Sequence, residues 1–144
     1  MRKTTSIIIL GILFLCSCTT YYIPLESFKQ QFTGIDSTKM VNLSVQGPLN
    51  EQYNYKANTI SIIECKDKNG NPFSLKNTPS IEIRFTYGHR NKRKVFYFDR
   101  ISVNRHSVTG VESRFMDFIR KTIPLDSITK IEVQDGRKQF NTTY

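Results

Sequence analysis

Two histidines, three cysteines and a scatter of carboxylates are the residues of this 144-residue chain suited to acid–base, thiol or metal chemistry. His89 and His106 sit beside arginines in segments that read as turns. A catalytic centre needs a nucleophile, a base and an orienting group brought together. The chain has no G-x-S-x-G, H-E-x-x-H or Cys-His signature. His89, His106 and Cys65 lack the close spacing of a metal-ligand set. Asp99, Glu112, Asp117 and Asp126 have the type for a paired acid and base, yet no periodicity sets them on one face. Asp126 follows Pro124, where a carboxylate suits capping of the next backbone amides. The expectation is solvated turn histidines, no cofactor and no metal.

The cysteines point elsewhere. Arg2 and Lys3 precede a short apolar run, Ile7 to Leu15. A basic start followed by so brief an apolar core makes an export signal, since the run is too short to span a bilayer. Leu15-Cys16-Ser17-Cys18 then resembles a bacterial lipobox. Cys18 is the better lipidated residue, because Cys16 would place bulky Leu15 at the cut. By that resemblance the Cys18 thiol carries diacylglycerol and its amine a further acyl chain. Each buried methylene adds about 0.8 kcal/mol, so several chains anchor almost permanently. No aspartate and no acidic run follows Cys18, so the expected address is the periplasmic face of an outer membrane. Cys65 is left without an intramolecular partner. In Ile60-Ser61-Ile62-Ile63-Glu64-Cys65 it reads as a buried strand thiol.

Removing residues 1–17 leaves 127, enough for one domain with a real core. Arg2 and Lys3 leave with the signal, which lowers the formal charge from +9 to +7. Such an excess favours anionic partners: lipid headgroups, acidic glycans or an acidic envelope protein. Export argues against nucleic acid. The densest positive stretch is Arg90, Lys92, Arg93 and Lys94, with Arg84 and Arg100 on adjoining strands. It reads either as an anion-facing patch or as a charged guard on a sheet edge.

The elements that must position these residues are mostly strands. Residues 18–23 read as a lipid-anchored tether, 24–136 as a single β-rich domain and 137–144 as a polar tail. Pro24 opens a short helix with Leu25, Phe28 and Phe32 on one face, and Gly34 ends it. Strands are predicted over Met40–Val45, Thr59–Lys66, Pro72–Leu75, Ser80–Tyr87, Lys94–Arg100, Ser107–Glu112, Phe118–Pro124 and Ile128–Gln134. Asn50–Asn58 is ambiguous. Asn69-Gly70 supplies positive φ angles for a hairpin. Val95 to Phe98 is apolar in sequence, which implies cover on both faces.

Short strands at regular spacing imply a mainly β fold. The expected form is a small antiparallel, partly closed barrel or strongly curved sheet with one short N-terminal helix. Ser80–Arg100 and the stretch Ile123-Pro124-Leu125-Asp126-Ser127-Ile128-Thr129-Lys130-Ile131-Glu132-Val133 resemble the Sm-like small β-barrels, in which such a proline turn leads into a closing strand. The whole chain, with its closing Ile131-Glu132-Val133-Gln134-Asp135-Gly136-Arg137-Lys138, resembles the uncharacterised small lipoproteins of Bacteroides-type bacteria. That group has no established activity to carry over. Asp36-Ser37-Thr38 and Asp126-Ser127-Ile128 match a short O-glycosylation pattern of such envelopes. The functional expectation is a lipid-anchored envelope protein acting as a binding or accessory module. The alternatives are an enzyme that modifies envelope polymer and a structural protein without a specific ligand.

Overall fold

The computed structural model describes residues 19–113, 116 and 118–143. Cys18 and Asp117 lie outside them. Helix α1 (Leu25–Gln31) is joined by twelve strands: β1 (Thr20–Tyr22), β2 (Val41–Gln46), β3 (Gln52–Ala57), β4 (Ile62–Lys66), β5 (Pro72–Lys76), β6 (Ile81–Tyr87), β7 (Lys92–Tyr97), β8 (Ser102–Val103), β9 (Ser107–Val111), β10 (Arg120–Pro124), β11 (Ile128–Asp135) and β12 (Asn141–Thr143). They form a six-stranded sheet, β5-β4-β1-β11-β6-β7, and two three-stranded sheets, β10-β9-β8 and β12-β2-β3. Every pairing is antiparallel.

The fold is mainly β with one helix, as expected. None of the three sheets closes into a barrel. The meander is interrupted at Phe98–Arg100, a 3-10 turn between β7 and β8. There the backbone stops pairing and the chain enters a separate sheet.

The six-stranded sheet carries the main core on one face. Ile81, Ile83 and Phe85 point inward from β6, and Ile131 and Val133 from β11. The β11 register shifts between Ile128 and Lys130, which inserts one extra residue. That bulge brings Ile128 inward three positions before Ile131, where strict alternation would turn it out. Helix α1 lies on this face. Pro24 precedes it, where the missing N–H costs nothing, and the Phe28 N–H donates to Pro24 O at 2.9 Å. The Phe28 ring meets Phe32 at 5.0 Å and Phe85 at 5.5 Å between centroids. Gly34, at φ 76°, turns the chain away.

Residues 20–22 of the expected tether are not free chain. Thr20, Tyr21 and Tyr22 form β1, placed between β4 and β11 inside the sheet. Tyr21 stacks on Phe73 at 4.4 Å, and the Lys130 ammonium sits 4.8 Å from the Tyr22 ring. Paired aromatics order this stretch, whereas a linker needs polar residues with nothing to bury. The polar tail likewise pairs in part, through β12 alongside β2.

On the N-terminal side of Lys66, β4 has lost β1 as a neighbour, because that chain has turned into α1. The Gln31 side chain covers the gap. Its amide donates to Glu64 O and accepts from Glu64 N–H, both at 2.9 Å, as a neighbouring strand would.

Three further expectations change. The β4–β5 hairpin has positive φ only at Gly70; Asp67 organises the turn by accepting from the N–H groups of Asn69 and Asn71. The outer face of β7 is open, with Val95 exposed. Asp126 does not cap the 3-10 turn Leu125–Ser127; Ser127 Oγ donates back to Pro124 O instead.

The sheet β12-β2-β3 has its own small cluster of Val45, Tyr55 and Ala57. It joins the rest through the Phe98–Arg100 turn: Asn58 N–H donates to Asp99 O at 2.7 Å, and Asn58 Nδ2 to Phe98 O at 2.6 Å.

Candidate functional site

The β6–β7 hairpin turns through Gly88 and Asn91, at φ 70° and 49°. Its tip is fastened to the 3-10 turn Leu125–Ser127, since Gly88 N–H donates to Ser127 O at 2.9 Å. The same turn holds a second loop: Leu125 N–H donates to His106 O at 2.8 Å. That loop, 104–106, is rigid in itself. Asn104 Oδ1 accepts from His106 N–H at 2.9 Å and from Ser107 N–H at 2.8 Å. The Pro124 turn therefore hangs two basic loops side by side. His89, Arg90, Lys92 and Arg93 come from one, Arg105 and His106 from the other, and all six are exposed. Asp126, also exposed, is the acidic residue between them.

The six expected anion-binding residues are not brought together. Arg90, Lys92 and Arg93 stand in solvent at the tip. Lys94 is committed to Glu112 at 2.9 Å. Arg84 faces Glu132 at 4.0 Å, a carboxylate that Lys130 approaches at 2.9 Å. Arg100 is not on a strand and not on the surface. It lies in the 3-10 turn, 4 % exposed, with its guanidinium 3.6 Å from the centroid of the Tyr55 ring. Tyr55 Oη donates to the buried Asp99 carboxylate. Tyr55, Asp99 and Arg100 thus form an internal cross-brace between two sheets, a geometry suited to holding rather than to recognition.

Asp99 follows the end of β7 remote from the hairpin tip, so the structure does not bring it to His89. Among the described residues no group of three His, Cys, Asp or Glu is placed to hold a metal. Cys65 is buried, as expected. Its thiol donates to Phe73 O at 3.2 Å. Burial, and secondarily the Glu64 carboxylate, pushes that thiol up to about 11. It is protonated and shielded at neutral pH, which removes its nucleophilicity.

Ser37 and Thr38 lie exposed in a 3-10 turn capped by Asp36, whose carboxylate accepts from Thr38 N–H at 2.8 Å. The bond that the Thr38 hydroxyl donates to the same carboxylate, and then that from its N–H, hold Asp36 below the usual carboxylate range. Ser127 is half-buried and engaged with Pro124 O.

Arg105 and His106 read from the sequence as a turn apart from the basic patch. Nothing local ties residue 106 to residue 125; only the hydrogen bond between the two loops does. Nor does any local pattern mark a groove of about 450 Å³ between the end of α1 and the 104–106 loop, lined by Phe32, Ile35, Val103 and Leu125 with Lys29 and Arg105 at its rim. No family model, curated protein or solved structure matches the chain.

Proposed function

We propose that this is a lipid-anchored envelope protein, held through Cys18 on the periplasmic side of the outer membrane, that acts as a binding module for an acidic glycan. The basic tip is its contact. One observation supports the orientation. Thr20 pairs with Gln134, and Gln134 with Glu82. The first paired residue is therefore level with the start of β6, while Lys92 and Arg93 lie level with Tyr87 and Thr86 at its other end and Arg90 stands in the turn beyond. Six residues from Glu82 to Gly88 span about 20 Å at about 3.3 Å each. Cys18 precedes Thr20 by two residues, a reach of about 7 Å at most. A domain standing on that anchor carries its basic tip away from the bilayer. The gap exceeds two screening lengths of about 8 Å at physiological salt. Headgroups of the anchoring membrane are then too far to attract the tip, and a polyanion in the space beyond is the fitting partner.

The test uses residues 19–144 and the variant R90S/K92S/R93S, which spares Lys94 for Glu112. Near an anionic surface each charge is worth about 1 kcal/mol, so the triple change should weaken binding to an acidic polysaccharide roughly a hundredfold. Binding should fall as salt rises. Equal affinity of both proteins at low salt removes the proposal. Binding to phosphatidylglycerol vesicles but not to polysaccharide replaces the glycan with a lipid surface.

A further inference from the structure

We propose that the groove between the end of α1 and the 104–106 loop binds a single long-chain carboxylate, a free fatty acid. Its floor is hydrocarbon: Phe32, Ile35, Val103 and Leu125. Its volume of about 450 Å³ lies in the range of small-molecule sites. Both walls are preformed. Phe32 is buried in the aromatic cluster, and the opposite loop is tied through Asn104. A site that does not reorganise loses less on binding.

The walls offer a peptide little to hold. The Thr33 N–H already donates to Gln30 O at 3.1 Å, the Ile35 N–H to Phe32 O at 3.0 Å and the Asn104 N–H to Ser107 O at 2.9 Å. What remains is an apolar floor, the side chains of Thr33 and Asn104, and two cations at the rim. Arg105 is exposed on one wall, and Lys29 on the other pairs with the exposed Glu26, at 2.8 Å. Asp36 also lines the groove, but its carboxylate is turned into its own capping bonds. A hydrocarbon chain with one anionic end meets these features together. At Gly34 the groove is open, with nothing within 4 Å of where a side chain would begin.

The experiment titrates residues 19–144 with dodecanoate, dodecanol and dodecyltrimethylammonium by calorimetry, below their micelle concentrations. Dodecanoate should bind at one site. Dodecanol should bind roughly fivefold or more weakly, and the cationic amphiphile more weakly still, as follows from losing or reversing one surface ion pair. K29Q/R105Q should bring dodecanoate down to the dodecanol level. T33W fills the groove from an exposed position; it should abolish binding while keeping the wild-type melting temperature. R90S/K92S/R93S should bind dodecanoate like the wild type, which separates this site from the glycan contact. No binding of dodecanoate, equal binding of all three amphiphiles, or wild-type binding by a folded T33W protein would each overturn the proposal.

Discussion

Gly110 is the point where the two sheets of the C-terminal half touch, and adding one methyl group there should be costly. A Cβ on Gly110 would sit 2.4 Å from Cγ of Phe96, with both Cδ atoms within 2.8 Å. Carbon atoms at ease stand about 3.5–4.0 Å apart, so the overlap exceeds 1 Å. The ring cannot swing clear, because Phe96 is 1 % exposed and packs on Phe85 at 5.9 Å. Overpacking of this kind costs about 1–3 kcal/mol. The entropy gained by replacing a glycine whose φ is not positive returns only about 0.4–1 kcal/mol. Gly110→Ala should therefore lose about 1–2 kcal/mol in urea unfolding of residues 19–144. Midpoint and slope together would separate lost stability from a changed unfolded state. Phe96→Leu alone leaves space and should also destabilise. Combined with Gly110→Ala, it should cost less than the sum, because the new methyl occupies the vacated volume. Additive costs, or an unchanged midpoint for Gly110→Ala, would refute the close packing of β9 on β7.

Cys18→Ala should end incorporation of labelled fatty acid in cells, and continued labelling would sink the lipobox assignment. Cys65 should resist a thiol reagent at neutral pH until the domain is denatured. Its raised thiol pKa also sets a sign: the unfolded chain loses the proton near 9.0 while the folded one keeps it to about 11. The stability it contributes is present below pH 9 and lost as pH rises through that window, and Cys65→Ala should flatten the decline. Gln31→Ala removes both hydrogen bonds to the Glu64 backbone; at about 0.5–1.5 kcal/mol each, the loss should be about 1–3 kcal/mol, with more aggregation on heating. Gln31→Glu should restore only the bond from the Glu64 N–H.

Local patterns in the sequence marked the helix at Pro24, the hairpins at Asn69-Gly70 and Gly88, and the inward row Ile81, Ile83 and Phe85. Each rests on a period or a turn residue within a few positions. Long-range pairing left no such mark. Thr20–Tyr22 reads as a linker because three residues are too few to show alternation. Its place beside β11 depends on residues more than a hundred positions away. The same holds for Arg100. As a charge between Asp99 and Ile101 it looks like a surface residue, and the Tyr55 ring that covers it comes from the ambiguous stretch 50–58, more than forty positions away. The basic tip was legible as a charge run. Which of its members were already paired was not, because Glu112, just past β9, and Glu132, on β11, come from other parts of the chain. Arg105 joined the site through the proline turn, whose presence was legible and whose two fastenings were not.

The proposed anchor and the basic tip stand at opposite ends of one sheet, and a distance measurement on the lipidated protein addresses this directly. Cys65 is buried, so a single added cysteine can carry a fluorophore. Two variants are compared in vesicles containing an acceptor lipid: His89→Cys at the tip, and Lys138→Cys, two residues beyond Gly136, whose N–H donates to Ser80 O at 3.0 Å beside the start of β6. Energy transfer should be strong from position 138 and weak from position 89, corresponding to a probe about 20 Å farther from the bilayer. Equal transfer from both positions would mean that the tip lies on the membrane, and would contradict a module that reaches away from its anchor.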